Sequence, residues 1–150
     1  MAAVPVDYRS NYLRAIEKAR LSLPPEWRRE GWPTEFALLP WPLHAPQHLL
    51  ALPPTRWQQL CKNLEPSSLT DEESMDVERF VQAHVQMRTV DAYGRLPLSE
   101  ELISQYGLGT QAALVGTHDK FEIWEPLKLK TKLASVDVGH LKRSLSGRKL

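Results

Sequence analysis

The chain has 150 residues, 42% of them apolar or aromatic and 25% charged, an ordinary globular composition that excludes a fibre or a disordered tail. Nineteen Lys and Arg against 18 Asp and Glu leave a formal net charge of +1, so bulk charge does not mark a nucleic-acid binder and any basic face must be local. The single cysteine, Cys61, excludes an internal disulfide framework and any zinc site built on two cysteines of one chain. No run approaches the roughly 18 apolar residues of a membrane-spanning helix. Met1 to Asp7 lacks the basic start and apolar core of a signal peptide. A soluble cytoplasmic protein with no membrane partner is the expectation.

In chain order, Tyr8 to Glu30 is locally basic, with six cations against three acids, net +3. These cations include Arg9, Arg14, Lys18 and Arg20. Ten of the 12 prolines lie before residue 70, which restricts that half to short strands, turns and helices that start at proline. Pro24 to Glu30 reads as a short helical segment. Phe36–Leu39 and Leu49–Leu52 read as strands across a proline-rich loop. Pro54 opens a helix to Leu64 whose apolar face is Trp57, Leu60, Cys61 and Leu64. Glu65 to Val81 is acidic, net −5. Within it, Thr70 and Glu73 have capping-box spacing for a helix over 71–86 with the stripe Val77, Phe80, Val81, His84 and Val85. Ser99 caps a short helix that Gly107 stops near Tyr106. Ala112–Val115 and Phe121–Trp124 form a second strand pair across Gly116-Thr117-His118-Asp119. From 136 to 150 the chain is basic, with Asp137 its only acid, and reads as a mobile tail.

An internal repeat organises these elements. Arg20-Leu21-Ser22-Leu23 aligns with Arg95-Leu96-Pro97-Leu98 at an offset of 75 residues, and Ala37-Leu38-Leu39 with Ala112-Ala113-Leu114 at the same offset. Leu49 to Pro54 and Phe121 to Pro126 follow at an offset of 72. Each copy thus runs strand, turn, Arg-led strand, short helix, strand, strand. Neither copy can bury its apolar face alone, so the two should intertwine in one small, mainly β barrel with short helices.

The segment Asp91-Ala92-Tyr93-Gly94-Arg95 carries the clearest local chemistry. Asp91 can turn the chain with its side-chain oxygens, and Gly94 can take a positive φ, so the motif sets an arginine at the start of a strand. Two uses stay open at this point: a hairpin whose arginine pairs with a nearby carboxylate, Asp91 among them, or an arginine presented to a partner.

The sequence resembles the MraZ family of bacterial transcriptional regulators, encoded at the head of the division and cell-wall gene cluster. The resemblance rests on Arg20-Leu21-Ser22-Leu23-Pro24 with Trp27-Arg28, on Asp91-Ala92-Tyr93-Gly94-Arg95-Leu96, and on Leu114-Val115-Gly116 with Lys120-Phe121-Glu122-Ile123-Trp124. It runs from about Tyr8 to Trp124. It implies an AbrB-type double-split β-barrel built from two tandem pseudo-repeats, about 8–64 and 84–133, joined by the acidic helix. One domain would then cover 1–135, with the basic tail at 136–150 outside it. It also implies a nucleoid-associated homo-oligomeric ring that binds double-stranded DNA at short direct repeats. By this analogy the two turns face DNA. Arg95 with the turn-forming Asp91 and Gly94, Arg20 with Lys18, and Arg9 and Arg14 are the DNA-binding residues. An arginine can donate a bidentate pair to guanine, whereas Lys18 suits a phosphate. Two departures stand in the first turn. Ala19 replaces glycine, so a positive φ there would be strained, and Glu17 could replace the aspartate only in a loop one residue shorter. A ring-forming scaffold of the same fold that has lost specific DNA recognition is the alternative reading.

Other motifs are set aside. His44 and His48 have i, i+4 spacing, but Pro46 between them spoils a helical metal pair, so no metal site is expected. His84 reads as a satisfied core histidine and Cys61 as a buried, inert thiol. Glu100 and Glu101 fit the positive end of a helix dipole. No phosphate-binding glycine loop or nucleophile elbow occurs, so no enzyme, cofactor or small-molecule substrate is expected. The five tryptophans read as core or interface residues.

Overall fold

The structure, a computed structural model, describes residues 5–148. Met1 to Val4 of the N-terminal segment and Lys149 and Leu150 of the basic tail lie outside the described residues. Eight strands form: β1 (Asn11–Glu17), β2 (Arg20–Ser22), β3 (Glu35–Trp41), β4 (His48–Leu52), β5 (Gln86–Thr89), β6 (Arg95–Pro97), β7 (Gln111–Gly116) and β8 (Phe121–Trp124). The helices are α1 (Pro54–Asn63), α2 (Glu72–His84), α3 (Glu100–Gln105), α4 (Pro126–Ala134) and α5 (Val138–Ser146), with a 3-10 turn at Pro25–Trp27.

The strands run antiparallel in the order β5-β3-β4-β8-β7-β1-β2-β6. The end strands β5 and β6 are consecutive in the chain and meet through the Asp91–Arg95 turn, so the sheet is a nearly closed, split β-barrel. The sequence repeat is visible in the pairing. β1 of the first copy pairs with β7 of the second, and β5 of the second pairs with β3 of the first. The split falls within β1, which pairs with β7 from Asn11 to Ala15 and then with β2 at Ile16 and Glu17. At the β2–β6 crossing Leu21 sits opposite Leu96, its own mate in the repeat, and at β4–β8 Leu50 sits opposite Glu122, again a mate. These two registers mark the pseudo-two-fold axis.

Alternation along the strands divides the apolar residues between two layers. Phe36 and Leu38, Leu49 and Ala51, Ala112 and Leu114, and Phe121 and Ile123 fill the barrel with Tyr8, Leu21, Trp27 and Leu96. Trp27 packs edge-on to Tyr8 and Tyr12 at centroid distances of 5.6 and 5.4 Å, and lies 5.0 Å from Phe121. The outward residues are covered by helices. Trp57 and Leu60 of α1 lie on Ala37, Leu50 and Leu52, and Leu129 of α4 lies on Ala113 and Trp124. Trp27 and Trp124 are buried, and Trp32, Trp41 and Trp57 pack against the clusters.

Six local readings differ from the structure. The second helix is capped by Asp71, which accepts from the Ser74 amide at 3.2 Å, not by Thr70, because aspartate one residue later offers the stronger acceptor. That helix ends at His84; Val85 is extended and Gln86 already belongs to β5. Of the expected α2 stripe only Val81 is buried, while Val77 and Phe80 face solvent. His84 is exposed rather than a core histidine: its ring stacks on Phe80 at 4.1 Å and its Nδ1 lies 2.8 Å from the Phe80 carbonyl. Cys61 is half-buried, and burial and then the Glu78 charge push its thiol pKa up, which keeps it a poor nucleophile. The segment 136–150, read as a mobile tail, carries α5, capped by Asp137 accepting from the Gly139 amide at 2.8 Å. No helix among the described residues is long and apolar enough to cross a membrane.

Candidate nucleic-acid interface

The two arginine-led strands lie side by side. In the β2–β6 register Arg20 faces Pro97 and Arg95 faces Ser22, with Leu21 and Leu96 between them turned into the core. Arg20 and Arg95 are therefore diagonal neighbours on the outer side of a two-stranded ribbon, less than about 8 Å apart at Cβ by strand geometry.

The second turn is held by Asp91. Its Oδ1 accepts from the backbone amides of Tyr93 and Arg95, both at 2.9 Å, and its Oδ2 accepts from Arg95 Nε at 3.2 Å. The Asp91 amide donates to the Arg95 carbonyl at 2.9 Å, and Gly94 takes a φ of +79°. Arg20 reaches the same Oδ2 with one terminal nitrogen at 3.5 Å. The Arg95 amide chiefly, then the Tyr93 amide and the Arg95 charge, hold the Asp91 carboxyl below its ordinary pKa against the opposing effect of burial. The structure shows the paired hairpin, with Asp91 as the carboxylate that Arg95 meets. Asp91 grips Arg95 through Nε, the two terminal nitrogens make no hydrogen bond among the described residues, and the side chain is about one-third exposed.

The first turn is shorter by one residue, as the Glu17 reading required: Glu17 pairs directly with Arg20 across Lys18 and Ala19. Both turn residues take positive φ, +52° at Lys18 and +59° at Ala19, the signature of a two-residue type I′ turn. The glycine position thus keeps its left-handed conformation without the glycine. The repeat mate of Asp91 is Ile16, which is buried. One carboxylate therefore serves both arginines. Lys18 sits exposed at the turn tip beside Arg20.

Arg14 and Arg9 do not join this group. Arg14 is half-buried and tied to the end of β2, donating from Nε to the Ser22 carbonyl at 3.1 Å and from a terminal nitrogen to Ser22 Oγ at 2.7 Å. Arg9 pairs with Asp7 and lies before β1, beyond the opposite end of that seven-residue strand from the Lys18 turn, the strand alone spanning roughly 23 Å at 3.3 Å per residue. Two residues not singled out from sequence do join it. The Arg28 guanidinium covers Gly94, where a Cβ would collide with it. The exposed Tyr93 ring lies 5.3 Å from the Arg95 guanidinium carbon, a cation–π distance. Trp27-Arg28 after the first arginine strand was the available signal for Arg28. Among the described residues no group of three or more His, Cys, Asp or Glu is placed to hold a metal ion.

Comparison with known proteins agrees with the geometry. No family model matches the chain. The chain is similar to the transcriptional regulator MraZ of Leuconostoc citreum, 31% identical over 107 residues, covering 71% of this chain and 72% of that protein. It is 29% identical over 125 residues to the transcriptional regulator MraZ of Pelodictyon phaeoclathratiforme, covering 78% and 82%. The match to the transcriptional regulator MraZ of Chlorobium limicola is 30% identical over 80 residues and spans half of that protein's length.

Proposed function

The chain belongs to the MraZ family of transcriptional regulators, and from that premise we propose that it binds double-stranded DNA sequence-specifically. Its targets are short direct repeats upstream of its own division and cell-wall gene cluster, and it acts there as a homo-oligomeric ring. The observation that carries the reading is the convergence of Arg20 and Arg95 on one face of the β2–β6 ribbon. The major groove admits a two-stranded ribbon, and a guanidinium fork matches guanine O6 and N7. Asp91 fixes the Arg95 fork before DNA arrives, which lowers the ordering cost of binding. Lys18 at the tip of the first turn meets a phosphate and sets register. Each subunit's face is weak, and a ring that engages several repeats gains affinity through effective concentration.

The test compares Arg95→Ala with Arg29→Ala by fluorescence anisotropy on upstream and scrambled duplexes. Arg95→Ala lowers upstream affinity by roughly 5- to 150-fold, the equivalent of about 1–3 kcal/mol of base discrimination, and leaves scrambled binding near its original value. Arg29, whose guanidinium lies over Trp32 at 5.3 Å, has a smaller effect. Equal losses on both duplexes would reduce Arg95 to a phosphate contact. The scaffold reading keeps one observation in its favour. Asp91 occupies both arginines, and the first turn holds Ile16 where the second holds Asp91. That reading gives weak, equal and strongly salt-dependent binding to every duplex.

A further inference from the structure

The two ends of the repeat carry opposite charge and matching apolar faces. From Glu65 to Val81 the chain has a net charge of −5, and from Pro126 to Leu150 seven Lys and Arg stand against Asp137 alone, net +6. Between them the rest of the molecule is close to neutral. The acidic stretch contains α2 and the basic stretch contains α4 and α5.

Each stretch also shows apolar side chains to solvent. On α2, Val77 and Phe80 are about 40% exposed and, with Leu43, line an apolar groove of about 310 Å³ bordered by Asp76. On α5, Val138, Leu141 and Leu145 recur at i, i+3 and i+7, form one stripe, and are 44–77% exposed, flanked by Lys142 and Arg143. These two helices hold the same place in the order of the repeat but are anchored differently. α2 is pinned to the barrel by Val81, whereas α5 buries no residue. A nine-residue amphipathic helix with no covered face has little to stabilise it alone.

The topology sets the two surfaces on opposite flanks. α2 packs on β3 and α4 leads into α5 from β7, and β3 and β7 lie on either side of the central β4–β8 pair. An apolar groove beside an acidic stretch on one flank and a basic apolar ridge on the other make a heterologous contact that repeats from copy to copy.

We propose that α5 of one copy seats Leu141 and Leu145 in the Leu43–Val77–Phe80 groove of the next copy, with its cations against the acidic α2. The inference rests on the ring reading and names the surfaces that close the ring. Hydrophobic burial supplies the affinity, and the opposed charges fix direction and exclude an α2–α2 or α5–α5 pairing.

The test uses sedimentation velocity on the full-length protein and two variants at exposed positions, Leu141→Asp on the ridge and Val77→Asp on the groove. Circular dichroism confirms that each keeps the parent fold. Each variant alone raises the subunit dissociation constant at least about thirtyfold, the scale of an interface hot spot, and sediments as a monomer. An equimolar mixture forms a dimer and nothing larger, since one intact ridge and one intact groove remain between the two. In a second arm, Lys142→Glu with Arg143→Glu breaks the assembly, and Glu73→Lys with Asp76→Lys on the same chain restores it. If Leu141→Asp leaves a wild-type ring unchanged, or the mixture stays monomeric, these surfaces do not meet and the inference fails while the ring stands. If the wild-type protein is a monomer at every concentration, the ring reading and the inference fail together. A monomer whose α5 holds it to anionic vesicles would assign the ridge to a lipid surface and also overturn the inference.

Discussion

Replacing Ala19 with glycine should make the protein more stable. Ala19 occupies the second turn position with φ +59°, a region that costs an L-residue about 1–2 kcal/mol. Glycine loses that penalty but gives back about 0.5–1 kcal/mol of backbone entropy on folding. The difference is a net gain of roughly 0.5–1 kcal/mol. For a chain of this size 1 kcal/mol moves Tm by about 2–4 °C, so Ala19→Gly raises Tm by about 1–4 °C. Thermal unfolding followed by circular dichroism at fixed protein concentration reads this directly, the fixed concentration removing any mass-action effect of assembly. A urea titration checks it, with the midpoint rising at constant slope. The turn keeps its shape, so Arg20 stays on the ribbon and DNA affinity holds. An unchanged or lower Tm would show that Ala19 is not in the left-handed region, and the type I′ assignment of the first turn would fall with it.

The opposite change at the mirror position, Gly94→Ala, lowers Tm, because φ there is +79° and the new Cβ also displaces the Arg28 guanidinium; a Tm equal to wild type would refute the turn geometry. Trp27→Ala removes a side chain buried among Tyr8, Tyr12 and Phe121 and costs about 3–5 kcal/mol, seen as a Tm drop of roughly 6–20 °C; a loss below about 1 kcal/mol would mean the aromatic cluster is not the core. Glu122 sits 3.2 Å from His48 Nε2 and accepts from Trp124 Nε1 at 2.9 Å. Burial raises its pKa, but the adjacent His48 ring, the Trp124 hydrogen bond and the Lys120 charge outweigh it, and the carboxyl ends below its ordinary value of 4.5. Such a depressed carboxyl stabilises the fold fully above pH 4.5 and loses that contribution as pH falls through its lower folded pKa. Glu122→Gln should therefore flatten the fall in Tm as pH drops below 4.5, and an unchanged slope would dismiss the cluster as a source of acid sensitivity.

The parts of the molecule visible in the sequence are those set by local chemistry or by the repeat. The four inner strands were marked by apolar runs between prolines, and α1 by Pro54 and the Trp57–Leu60 spacing. The second turn could be read in full because Asp91 and Gly94 each do what their side chains permit nowhere else nearby. The misreadings come from tertiary context. Helical spacing continued through Gln86, but pairing with Leu38 claimed that residue for β5. The stripe on α2 looked like core, yet β3 covers only the Val81 side of it. Arg14 carried the right charge in the right stretch, and only the fold shows two of its nitrogens tied to Ser22. α4 was within reach: Pro126 is the offset-72 mate of Pro54, so the repeat already implied a helix there. α5 had no such mark beyond Asp137, and its charge suggested a tail.

The central claim is that the Arg20–Arg95 face reads a specific duplex. The most direct test is anisotropy with a labelled duplex from upstream of the protein's own gene cluster against a scrambled duplex at ~150 mM salt, near physiological ionic strength. The account predicts a preference of at least about 10³-fold for the upstream duplex, abolished in the Arg20→Ala, Arg95→Ala double variant. Equal, weak binding to both duplexes, unchanged in the double variant, would contradict it.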